Sequence, residues 1–202
     1  MDQPNNSANS STKASVSPSE ALERLKAGNA RFASAVITNG KEVADARAAT
    51  AMSQHPFAVI VTCSDSRLSP EILFDQNIGD LFVVRSAGNL VDSLGIGSVE
   101  FGVCALGAKL IVVLGHKGCG AIAATIKGDD LPGHLNSITE AVRPAVELAK
   151  HKDGDLLNNA IIENTSLVAS KIRSKALLGD TGVQIVHAVY DIRSGTIDWF
   201  DQ

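Results

Sequence analysis

Cys63-Ser64-Asp65-Ser66-Arg67 and Gly115-His116-Lys117-Gly118-Cys119-Gly120 are the two segments of this 202-residue chain that concentrate chemically active side chains. Two thiols and one imidazole make a three-ligand set for zinc, leaving the fourth tetrahedral position to water or a carboxylate. The flanking glycines allow the backbone to come close to a metal. The competing reading is an ordinary core, in which two buried cysteines and a satisfied histidine do no chemistry. His116-x-x-Cys119 alone does not decide between them. Cys63, Asp65 and Arg67, at the end of a different predicted strand, favour the metal set.

Both segments must be held by something rigid. Residues 57–63, 81–85, 110–114 and 183–190 are short apolar runs rich in β-branched side chains, the pattern of strands buried on both faces. Helical stretches are expected near 92–107, 118–127, 135–150 and 157–178. Alternating strands and helices predict a single α/β domain with a mostly parallel central sheet flanked by helices. Residues 190–200 read as a hairpin turning at Ser194-Gly195, which adds an antiparallel C-terminal edge strand. The two reactive segments then fall at the carboxyl ends of strands, where open α/β sheets place their ligands.

Ser17-Pro18-Ser19-Glu20 has the form of a capping box with proline at the first helical position. Ala21, Leu22, Leu25 and Phe32 continue at helical spacing. Asn39-Gly40 is a break, and an Ala-rich helix is expected from Lys41 to about Ser53, completing an N-terminal helical extension. Residues 1–16 are polar and low in complexity, without the basic and apolar regions of a signal peptide, so the domain is expected to occupy 17–202. They read as a disordered leader or an expression remnant. A net charge of −4 gives no basic footprint for nucleic acid or anionic lipid, and no apolar run approaches the ~20 residues of a membrane span. Three cysteines in a chain this long point to reduced thiols or ligands rather than a disulfide scaffold.

The pair CSDSR (63–67) and HKGCG (116–120), with GDLFVVRSAGN (79–89) between them, resembles the β-class carbonic anhydrases. The resemblance extends over nearly all of 17–200, including the closing YDIRSGTIDWF. It implies Cys63, His116 and Cys119 as ligands of one Zn2+ per chain, and Asp65 and Arg67 as the family's catalytic Asp–Arg dyad. It implies Gln54 as a substrate-binding glutamine. The implied activity is reversible hydration of CO2 to bicarbonate and a proton by a zinc-bound hydroxide. The implied assembly is a homodimer or higher homo-oligomer whose N-terminal helices embrace the neighbour. Reduced thiolate ligands favour the cytoplasm, with a periplasmic location open if a signal has been removed.

Two thiolates formally neutralise Zn2+, so activity is expected to rise on the alkaline side of neutrality. Asp65 has two exclusive roles: paired with Arg67 it orients the nucleophile, and released it becomes a fourth ligand that closes the site. Some members carry an inhibitory Trp–Arg–Tyr bicarbonate pocket. Here Arg85 matches the arginine, but Ile60 and Phe101 stand at the other two positions, so an open, non-allosteric type with a structural Arg85 is expected. Hydrolysis of carbonyl sulfide or carbon disulfide on the same fold, and a non-catalytic closed zinc site, are the alternatives. Cys104 is expected in the core, His55 exposed or merely packed, and Lys117 facing solvent near the site mouth. Gly88-Asn89 reads as a turn near the cleft. His134, His151 and His187 have no chemical partner nearby in sequence.

Overall fold

A computed structural model of the chain describes residues 16–38, 43–128 and 131–200. Leader residues 1–15, the Asn39-Gly40 break and residues 41–42 of the expected second helix lie outside the described residues. The first helix, α1 (Pro18–Ala33), starts as its sequence dictates: Glu20 N–H donates to Ser17 Oγ, and Ser17 N–H donates back to the Glu20 carboxylate at 3.1 Å. Then follow α2 (Val43–Thr50), β1 (Ala58–Cys63), α3 (Pro70–Leu73), β2 (Leu81–Ser86), α4 (Ser93–Glu100), β3 (Leu110–His116) and α5 (Gly120–Lys127). The chain continues through α6 (Leu135–Ala149), α7 (Leu156–Lys175), β4 (Gln184–Tyr190) and β5 (Ile197–Phe200).

The strands form one sheet in the order β2-β1-β3-β4-β5, parallel except for β5, which runs antiparallel to β4. Every residue of β1 and β3 is buried, as expected for central strands covered on both sides. Ala58, Ile60, Leu110 and Val112 pack with Leu25 of α1, Ile122 of α5 and Val146 of α6. Val59, Val61, Ile111 and Val113 face the other way, onto Val99 of α4 and Val168 and Ile172 of α7. Each such fully buried aliphatic side chain contributes about 1.5–3 kcal/mol relative to exposure. The parallel register aligns the carboxyl ends of β1 and β3, which fixes the spacing of the two reactive segments. No helix among the described residues is long and apolar enough to cross a membrane.

The arm up to residue 38 is anchored to its own chain. A Cβ on Gly28 would stand 1.8 Å from the Phe74 carbonyl oxygen, so only glycine lets α1 lie this close to the end of α3. The buried Asp75 carboxylate takes Arg31 Nε at 2.5 Å and Thr38 Oγ1 at 2.8 Å. Arg24 lies over the Phe57 ring and pairs with Asp80 at 2.8 Å. In contrast, α2 buries none of its residues.

Two expectations change. Helix α3 is one short turn that carries no periodic signal. The helix expected over 92–107 ends at Glu100 and continues as a single π turn, Phe101–Ala105, with Leu106 N–H on Phe101 O. A Cβ on Gly102 would meet a Val59 methyl at 2.6 Å, so the turn sits directly against β1. The wider turn shifts which residues face inward. Gly102 and Val103 are buried, whereas Cys104 is exposed, with Sγ 3.5 Å from Leu177 O; it is not the core residue its helical spacing suggested.

Candidate metal centre

The last residue of β1, Cys63, meets the last residue of β3, His116, and Cys119, the residue before the first turn of α5. Their ligand atoms all lie within 4.8 Å of one another, and all three residues are buried. The His116 ring has a carbonyl, Lys117 O, 3.2 Å from Nδ1. A carbonyl can only accept, so Nδ1 carries the proton and Nε2 presents its lone pair to the two sulfurs. Nε2 is buried with no hydrogen-bond partner. An unsatisfied buried group of this kind costs about 1–3 kcal/mol. Two sulfurs and one imidazole nitrogen form the donor set that suits zinc, and a metal would supply the missing partner of Nε2. The residues present therefore fit the ion.

The electrostatics point the same way. The Cys119 thiol and the amides of Asp65 and Gly88 hold the Cys63 thiol far below its ordinary pKa, against the effect of burial. Cys119 moves upward because it faces Cys63 and is buried, while the amides of Ile122 and Ala121 oppose the rise. Metal binding needs both sulfurs as thiolates, so loading the site releases protons.

Asp65 lies in the turn after β1. Arg67 holds it with Nε on Oδ1 at 2.9 Å, Nη2 on Oδ2 at 2.7 Å and its backbone N–H on Oδ1 at 3.0 Å. The Arg67 side chain, with its backbone amide and the His116 ring, keeps the Asp65 carboxyl well below the usual carboxylate range, against burial. Oδ2 is 3.8 Å from His116 Nε2. The carboxylate borders the metal position without entering it.

The turn is clamped from the neighbouring strand. Arg85 of β2 donates Nε to Cys63 O at 3.1 Å and Nη2 to Asp65 O at 2.8 Å, in keeping with a structural role. Ser64 N–H bonds Ser86 O at 2.9 Å. Gly88 N–H points at Cys63 Sγ at 3.4 Å. Ile60 is buried in β1 and the Phe101 ring is exposed beside Phe82, so neither provides a polar group next to Arg85.

Gln54 is not brought to the cluster of its own chain. Thr50 abuts Gly79 and Phe57 N–H bonds Asp80 O at 3.0 Å, so 51–56 is tethered at both ends where β1 and β2 begin. Cys63 stands at the opposite end of β1. His55, His134 and His151 are exposed. Lys117 is tied down rather than free: Nζ lies 2.9 Å from Asp191 and 3.9 Å from Asp198. His187 has partners that lie far off in sequence, Thr165 Oγ1 at 3.0 Å and the stacked Phe200 ring at 5.2 Å. Asn164, which bonds Gly88 O at 2.9 Å, carried no signal in the sequence.

Residues 58–197 match the family described as carbonic anhydrase. Carbonic anhydrase 2 of Mycobacterium tuberculosis (strain CDC 1551 / Oshkosh) is 44% identical over 143 residues, covering 69% of this chain and 69% of that protein. The carbonic anhydrase of Mycolicibacterium smegmatis is 36% identical over 190 residues, 90% of this chain and 92% of its own. The Coccomyxa β-carbonic anhydrase solved with acetazolamide superposes with a TM-score of 0.69 at 25% identity, covering 90% of this chain and 86% of that one. With the family match running from 58 to 197, across Cys63, His116 and Cys119, the chain belongs to the carbonic anhydrase family, in its β class.

Proposed function

We propose that this chain hydrates CO2 reversibly to bicarbonate and a proton, with Cys63, His116 and Cys119 holding one Zn2+. The observation that carries the reading is the lone pair of His116 Nε2, buried without a partner and facing two thiols beside a carboxylate gripped by Arg67. Zinc, when bound there, acidifies water and so supplies a hydroxide nucleophile near neutral pH. Asp65 acts as a hydrogen-bond acceptor that orients the attacking O–H and leaves a lone pair aimed at the carbon of CO2. Arg67 keeps Asp65 in that role through the two-pronged fit of guanidinium to carboxylate. Lys117 O fixes the tautomer and tilt of His116.

Gln54 is the substrate-binding glutamine in this reading, and it acts on the cleft of a second copy. Its tether at the far end of β1 supports that assignment. So does the surface around β2: this edge strand and α4 line a groove of about 820 Å³ with Phe82, Val84, Leu90 and Leu94. A homo-oligomer of at least two chains would cover that groove and the unpacked α2. Reduced thiolate ligands fit a cytoplasmic location.

Stopped-flow CO2 hydration near pH 8.5, on protein whose zinc has been counted, tests the reading. Turnover that requires zinc and is lost in Asp65→Ala is the expected result. Stoichiometric zinc without CO2 turnover would overturn it and leave the sulfur substrates to be assayed.

A further inference from the structure

Asn164 lies in the middle of α7, 2% exposed, and its Nδ2 donates to Gly88 O at 2.9 Å. Gly88 in turn directs its N–H at Cys63 Sγ, 3.4 Å away. The backbone between these two bonds is unusual. Gly88 has φ 69° and ψ 22°, and Asn89 follows at φ 48°, so two consecutive residues are left-handed and one of them is not glycine. Both are buried. A backbone of this kind persists where its surroundings over-determine it, and it concentrates at functional sites.

Other contacts brace this turn on either side of Gly88 without touching its carbonyl. Arg85 and the Ser86 carbonyl hold the end of β2 against the Cys63 turn, and the Ser86 hydroxyl donates to Leu90 O at 2.5 Å across the turn. The Asp65 amide also faces Cys63 Sγ, yet it belongs to the same turn and moves with it. Gly88 follows a different strand, and the bond that sets its carbonyl comes from a side chain 76 residues away.

We propose that Asn164 is a positioning residue of the metal centre: through Gly88 it aims a backbone amide at the Cys63 sulfur and draws charge out of that thiolate. The inference deepens the zinc reading above and rests on it. Two thiolates neutralise a divalent ion and blunt its pull on water, and sulfur charge taken up by an N–H···S bond is charge withheld from the metal. The amide is thus part of how a ligand set with two sulfurs stays acidic enough for its chemistry.

The test uses full-length, 15N-labelled protein loaded with 113Cd, and reads proton–cadmium coupling by NMR. The wild type should show coupling from cadmium to the Cys63 β-protons and, through the hydrogen bond, to the Gly88 amide proton. Asn164→Leu should weaken or abolish the Gly88 coupling while cadmium stays bound. If Asn164→Leu does not fold, Asn164→Ala removes the donor without adding bulk and should do the same. Thr165→Val, which removes a buried hydroxyl on the same helix, should leave the Gly88 coupling intact. Coupling to the Cys63 β-protons with none to Gly88, or Gly88 coupling unchanged in the Asn164 variants, would overturn the proposal. Bound cadmium without coupling to Cys63 would overturn the zinc reading itself.

Discussion

Arg67 grips both oxygens of Asp65, Nε on Oδ1 at 2.9 Å and Nη2 on Oδ2 at 2.7 Å, yet Oδ2 remains 3.8 Å from Nε2 of His116. The carboxylate therefore sits one small movement from becoming a ligand, and the guanidinium is what keeps it out. Lysine at 67 would keep the charge and lose the fork. Arg67→Lys should lower kcat/KM about 10–100-fold, the equivalent of about 1.5–3 kcal/mol for a lost charge-assisted bond, with zinc content unchanged. Stopped-flow rates paired with metal analysis check this, and full activity in Arg67→Lys would remove the dyad from the mechanism.

Removing the metal should be felt in the fold. Without an ion, Nε2 of His116 has no partner and the two thiols share a buried site. Zinc held at about 100-fold above its Kd should stabilise the chain by about 2.7 kcal/mol, a rise of about 5–10 °C in Tm for a domain of this size. Calorimetry on chelated and reloaded protein reads the shift. His116→Ala should abolish the zinc-dependent part.

His187 sets a second pH dependence away from the cleft. Burial and the neighbouring Arg173 hold its pKa below the ordinary 6.5, with Glu163 opposing. The folded chain thus resists a proton that the unfolded chain accepts. The stability tied to this residue is complete above about pH 6.5 and is lost as the pH falls from there toward the lower folded value. His187→Asn should flatten the fall in Tm between pH 7 and 5 relative to the wild type, in thermal melts at matched ionic strength. Parallel curves for the two proteins would contradict this.

Gln54 gives the assembly a direct test. If it serves the neighbour's cleft, then Gln54→Ala and Asp65→Ala chains, each of low activity, should complement when mixed. A mixed dimer has one site with both defects and one with neither, so random reassortment should restore about one quarter of wild-type sites. Assays before and after subunit exchange measure the gain, and no gain would mean that Gln54 acts within its own chain or not at all.

Much of this architecture is legible in the residues. Central strands such as β1 and β3 are continuous β-branched runs because both faces are buried, and the Ser17–Glu20 box marks the start of α1. Cys63, His116 and Cys119 stand out because they end or follow those runs. What stayed hidden depends on tertiary contacts that carry no local pattern. Asn164 is one polar residue in a helix until α7 packs over Gly88. Arg85 cannot be read as the clamp on Cys63 and Asp65 before β1 and β2 are in register. Cys104 was misplaced because helical spacing assumes 3.6 residues per turn, and Phe101–Ala105 is a π turn. Gln54 is visible by resemblance, but its place at the end of β1 opposite Cys63 emerges only once the strand is formed.

Helix α2 has eight residues and buries none of them, and Met52 just beyond it is 96% exposed. A lone helix of that length is only marginally stable in water. If the neighbouring chain of the proposed homo-oligomer covers this helix, its order obeys mass action. Dilution should act on this protein as a slow off-switch. As chains part, the exposed start of α2 frays, and Gln54, four residues past its end, loses the neighbouring cleft it is proposed to serve. Turnover per chain should then fall below a threshold enzyme concentration while the zinc ligands, deep in each separate fold, keep their metal.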